Sequence, residues 1–127
     1  MPSHSRPVSP HLFIYKFTLT MATSIVHRGT GVALYAGTLL LVIWLGAAAL
    51  GDGPLTAVHM VMGAWFGQLI LFLATWALFQ HMLGGLRHFI WDSGNGFDPV
   101  GREWLARLNL AGSIALTLLV WAVFVWF

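Results

Sequence analysis

The chain contains no cysteine. That excludes disulfides, thiolate zinc centres, cysteine-ligated iron–sulfur clusters and cysteine nucleophiles. Charge is scarce too: 6 Lys+Arg and 4 Asp+Glu make up 8% of 127 residues, where a soluble domain carries about 25%. So few charges cannot coat a water-facing surface, which excludes an ordinary soluble enzyme. A formal net charge of +2 rests on too few groups for a nucleic-acid surface. No internal repeat or low-complexity tract is present. What is abundant is apolar surface, at 58% of residues. The composition is that of a membrane protein.

A spanning helix needs about 20 mostly apolar residues. Three stretches meet this, placing spans at about 28–50, 58–88 and 105–127. Breakers separate them: Gly51-Asp52-Gly53-Pro54, and the run from Asp92 through Ser93-Gly94-Asn95-Gly96-Phe97-Asp98 to Pro99. Residues 1–23 read as an arm and interfacial segment, and 24–127 as a three-helix transmembrane domain. A cleaved signal peptide is not expected, because the first apolar run comes late, is long and lacks a small-residue cleavage pattern.

Arg6, Lys16 and Arg28 precede the first span, and Arg87, Arg102 and Arg107 flank the second linker. With three spans, all 6 cations share one face. The positive-inside rule puts that face and the N-terminus in the cytoplasm or its organellar equivalent. Trp91 and Trp104 border the inner interface; Trp121 and Trp126 lie toward the outer one.

Function in such a chain is sought where polar groups enter the bilayer, since an ionisable side chain there faces a cavity, a cofactor or a partner. His81 lies about 9 Å inward from Arg87 along the helix. His88 follows at i+7 on the same face, and Gly85 between them opens a notch for a flat group or a second helix. Imidazole is an iron ligand in membrane cytochromes, and Arg87 with a second histidine suits haem propionates. The competing role for His81 is an interhelical hydrogen bond. His81 and His88 project from one face, so they cannot ligate opposite sides of one iron. The sixth ligand comes from His27, which adjoins interfacial Arg28 and reads as shallower, or from another chain, which fits the depth better.

Ser24, His27 and Arg28 form a second constellation at the mouth of the first span. A hydroxyl and a guanidinium donate to carbonyl oxygens, so this corner suits a lipophilic molecule with a carbonyl head. The plainer reading has Arg28 snorkelling and Ser24 capping. Asp92 ends the second span near the same surface, where it pairs with Arg28 or terminates the helix. His59 lies about 33 Å from His81 along one helix, and reads as an anchor at the opposite interface. Gln68 and Asn109 are expected to bond to neighbouring helices. His4 and His11 are expected in solvent.

Arg6-Pro7, Ser9-Pro10-His11-Leu12 and Ser24-x-x-His27-Arg28-x-Thr30-Gly31, followed by His81-x-x-x-Gly85-Leu86-Arg87-His88-Phe89-Ile90-Trp91-Asp92-x-Gly94, resemble the two signatures of the cytochrome b large membrane-anchor subunit of succinate dehydrogenase. The arm is most similar to the mitochondrial and alphaproteobacterial branch. The resemblance implies an all-α membrane protein whose three transmembrane helices pair with a second three-helix anchor chain around haem b. It further implies an iron–sulfur subunit and a flavoprotein on the cytoplasmic or matrix side, succinate as electron donor, and ubiquinone or another quinone as acceptor. By motif position, His81 would be the haem iron ligand, with His27, Arg28 and His88 at the haem propionates or edge. Ser24, Arg28 and Asp92 would form the quinone site. A bacterial inner membrane with a cytoplasmic N-terminus is the expected location. Thr18 departs from similar chains, which often carry proline there. The alternatives are a purely structural anchor, or a small proton-conducting or transport subunit in which His81, Arg87, His88 and Asp92 relay protons.

Overall fold

Thr18 sets the start of the first helix. Its extended backbone stops the helix, and its hydroxyl accepts a hydrogen bond from the Met21 amide at 3.3 Å. Helix α1 then runs Leu19–Leu50, 32 residues, or about 48 Å, more than the ~30 Å hydrocarbon thickness. The computed structural model of the chain describes residue 14 and residues 16–126. Expectations on His4, Arg6, His11 and the Ser-Pro-His-Leu arm, and on the side chain of Trp126, fall outside the described residues.

Gly51, at φ 108, reverses the chain where a side chain would be strained. Helix α2, Asp52–Gly63, folds back on α1, and Trp44 Nε1 donates to His59 Nε2 at 3.2 Å. Here the structure corrects the sequence reading. The second span is not one helix: Ala64, at ψ 156, breaks it, and α3 begins afresh as Trp65–Asp92. Two local features hold the break. Gly67 sits so close to the α2 backbone that a Cβ would overlap the Val61 carbonyl, and Gln68 Nε2 donates to the freed Met62 carbonyl at 3.1 Å. His59 and His81 thus lie on different helices. Hydropathy misses this because the residues on both sides of Ala64 are equally apolar.

Gly94 and Gly96 turn the chain at φ 81 and 73. Asp98 then caps α4, Pro99–Trp121, by accepting from the Gly101 amide at 2.7 Å. A π-helical turn, Ala122–Trp126, follows. Among the described residues, 3 helical stretches are long and apolar enough to cross a membrane: Leu19–Leu50, Trp65–Asp92 and Pro99–Val125.

The interior is inverted relative to a soluble bundle. Among the described residues the buried hydrophobic ones are Ala47, Ala77, Ala106 and Trp121, while Thr23, Thr30, Gln80, Arg87, Asn109, Ser113 and Thr117 are buried polar groups. Lipid tails are as apolar as Leu, so large side chains gain nothing by turning inward; small and hydrogen-bonding residues pack the helices instead. The seam between α3 and α4 follows this rule. Gln80 Nε2 donates to Asn109 Oδ1, Ser113 Oγ to Gln80 Oε1 at 2.6 Å, and Trp121 Nε1 to Thr75 Oγ1 at 3.2 Å. The antiparallel packing gathers Lys16, Arg28, Arg87, Arg102 and Arg107 at one end of the bundle.

Candidate functional site

Three imidazoles meet where α1 crosses α3. Thr23, His27 and Thr30 lie on one face of α1 at i, i+4 and i+7, and all turn toward α3. Two glycines admit the rings. A Cβ on Gly84 would overlap the His27 imidazole, and one on Gly31 would sit 3.1 Å from His81 Cε1. Gly85, expected from the sequence to form the notch, has nothing of this chain within 4 Å of its Cβ position. The close approach inside the chain belongs to Gly84, and Gly85 faces open space.

The His81 ring is fixed through one nitrogen. Nδ1 lies 3.1 Å from the His27 carbonyl oxygen and 3.3 Å from Thr30 Oγ1. Donating Nδ1–H to the carbonyl leaves the Nε2 lone pair free, and Nε2 is neither hydrogen-bonded nor among the buried unpartnered atoms. This is the arrangement of a metal-ligating histidine, whose second nitrogen is held by a backbone carbonyl.

His27 is level with His81, contrary to the shallower placement expected from its proximity to Arg28. The two rings stack with centroids 4.1 Å apart and planes 5° from parallel. Axial ligands to one iron must aim their nitrogens at each other, whereas stacked rings present theirs side by side. His27 is therefore not placed to complete an axial pair with His81. His88 leans on His27 at 5.1 Å, and Nδ1 of both rings is buried without a partner.

Arg87, 2% exposed, donates from Nη1 to Thr23 Oγ1 at 2.6 Å, and its guanidinium lies 4.9 Å from the centre of the Trp91 ring. A desolvated cation–π contact of this kind contributes about 2 kcal/mol, which partly offsets the burial of a charge whose Nε has no hydrogen bond. The second constellation sits outside this crossing. Ser24 and Arg28 are exposed and line, with Thr20, Met21 and Ile25, a shallow groove of about 270 Å³. Arg28 Nε reaches the Ser24 carbonyl at 3.4 Å. Asp92 is the exposed last residue of α3 and does not line that groove. The single ion pair among the described residues is Arg107–Glu103, so Arg28 and Asp92 do not pair.

Sequence reasoning singled out all three imidazoles and placed Thr30 in a motif without a role, but missed Thr23, Gly84, Gln80, Ser113 and Thr117. A stripe of small and hydroxyl residues at helical period was the available signal: Ala106, Asn109, Ser113 and Thr117 on α4, and Thr23, His27 and Thr30 on α1.

A helical membrane protein with three clustered imidazoles and its described cations at one end of its spans is the class that fold and site define. The chain belongs to the family described as the succinate dehydrogenase/fumarate reductase transmembrane subunit, which it matches over residues 2–125. It is 40% identical over 120 residues to the succinate dehydrogenase cytochrome b556 subunit of Paracoccus denitrificans, covering 94% of this chain and 92% of that one. The cytochrome b556 subunit of Rickettsia felis is 34% identical over 124 residues, covering 93% and 92%. The mitochondrial cytochrome b560 subunit of Sus scrofa is 36% identical over 120 residues, covering 91% of this chain and 66% of its own length.

Proposed function

We propose that the chain is the cytochrome b anchor of a succinate dehydrogenase, holding haem b through His81 and helping to form the site where quinone is reduced. The observation that carries this reading is the tethered Nδ1 of His81, with Nε2 left free at a position where hydrocarbon would otherwise strip the ring of its hydration. When bound, haem supplies a one-electron redox centre. The His27 carbonyl and Thr30 hydroxyl set the tautomer and the plane of the ligating ring. Because His27 stacks beside His81, a second ligand to the haem would come from a second three-helix anchor subunit. His27, His88 and Arg28 offer donors to the propionates, and Gly85 gives a flat group room to approach.

Ser24 and Arg28 serve the quinone. Their hydroxyl and guanidinium donate to its carbonyl oxygens at the membrane surface, and Asp92, at the same end of the bundle, supplies protons. The electrons come from succinate by way of a flavoprotein and an iron–sulfur subunit docked on the cation-bearing end. That end faces the cytoplasm of a bacterial inner membrane.

A reduced-minus-oxidised spectrum of the purified complex tests the haem assignment. A b-type band present in the wild type and lost in His81→Ala is the expected result; an unchanged band in the variant would remove His81 as ligand. For the quinone site, Ser24→Ala and Arg28→Leu should slow quinone reduction about 10-fold or more, the loss of roughly 1.4 kcal/mol of transition-state stabilisation. Succinate oxidation by a soluble dye should stay intact. Equal loss of both activities would count against a quinone role.

A further inference from the structure

Trp91, an interfacial marker and a position of the second signature, has an indole engaged on several sides at the cation-bearing end. Nε1 donates to the Gly96 carbonyl at 3.2 Å, which ties the end of α3 to the turn leading into α4. One neighbour of the ring is Phe97, stacked at 6.2 Å; another is His88, stacked at 5.4 Å with planes 27° apart. The Arg87 guanidinium lies over it at 4.9 Å. His88 in turn leans on His27 at 5.1 Å, and His27 stacks on His81 at 4.1 Å. Arg87 reaches across to Thr23 on α1. A single continuous file of rings thus joins the 93–98 turn to the imidazole whose Nδ1 is tethered.

We infer that Trp91 is a positioning residue for the imidazole cluster: pinned by Gly96 and Phe97, it fixes the tilt of His88 and, through His27, the orientation of His81. The inference rests on the proposed haem role of His81. Two physical points support a positional rather than a filling role. Gly96 is held at φ 73, with Leu105 Cδ1 at 2.7, Ile90 Cγ2 at 3.6 and Trp91 Cδ1 at 3.7 Å from its Cβ position, so the turn closes on the indole edge together with Leu105 and Ile90. The rings also meet face to face or tilted, so a rotation of the indole has to be taken up by the next ring in the file.

The test uses the intact complex with its partner subunits, and reads the haem potential by optical redox titration. Succinate oxidation by a soluble dye controls for assembly. Trp91→Leu should keep the dye activity and the b-type band but change the haem reduction equilibrium about threefold, on the order of 28 mV at ~59 mV per decade for one electron. Trp91→Phe keeps a stacking ring and should titrate with the wild type. A Trp91→Leu complex at the wild-type potential, or a Trp91→Phe complex shifted as far as Trp91→Leu, would overturn the inference. If Trp91→Leu does not assemble, Phe97→Leu decides: a shift of the same sign supports the inference and an unshifted potential ends it. A wild-type complex without a b-type band overturns the haem reading as well, whereas a normal band with unshifted variants overturns this inference alone.

Discussion

Two adjacent glycines on α3 show how finely single residues are specified at the crossing. Gly84 is buried with its missing Cβ occupied by the His27 ring, while Gly85 has open space at the same point. Gly84→Ala should therefore destabilise the chain by about 1–3 kcal/mol through overpacking. Gly85→Ala should change helix packing by less than about 0.5 kcal/mol. Thermal unfolding of the two variants in detergent checks the contrast, and equal losses would contradict it. The histidines were legible in the sequence because each is conspicuous in an apolar run. Thr23 and Gln80 were not, since uncharged polar residues are common in spans, and Thr30 stood in the motif without a role; the α1–α3 crossing shows what the threonines bond to, and the α3–α4 seam shows it for Gln80.

At the scale of the helices, apolarity located the spans but not the break at Ala64, where two helices of similar character meet. The signal lay in the spacing of Gly63 and Gly67 around a residue of extended backbone. Gly67→Ala forces a Cβ against the α2 backbone, which has no flexible side chain to yield. It should detach α2 from the start of α3, read as faster amide exchange over residues 58–64 while residues 80–90 stay protected. The α3–α4 seam offers a second test. Gln80 is fully buried and bonds to both Asn109 and Ser113. Gln80→Leu leaves Asn109 Oδ1 without its donor and Ser113 with only the Leu110 carbonyl, and should cost about 1–3 kcal/mol, even though the substitution makes the span more apolar. An increase in stability would show that the seam is not what holds these helices together.

For the molecule as a whole, the large apolar side chains point outward, Leu39, Trp65, Phe89 and Phe124 among them. Such a surface suits lipid and a companion anchor subunit. The cation count placed all the charged anchors on one face, and the structure brings the described ones to one end. Because the chain lacks cysteine, its orientation is open to direct test in a clean background. Asn95→Cys should be shielded from an impermeant thiol reagent in intact spheroplasts and react after lysis, and Gly53→Cys should react before lysis. The reverse pattern would invert the topology and place the imidazole cluster on the far side.

The contrast between the two helix contacts bears on biogenesis. The α3–α4 seam is closed by side chains of this chain alone, whereas the α1–α3 crossing holds buried nitrogens without a hydrogen-bond partner among the described residues. The last two spans are therefore able to leave the insertion machinery as a finished hairpin. If the crossing takes the proposed haem, the first helix is the element whose seating depends on it.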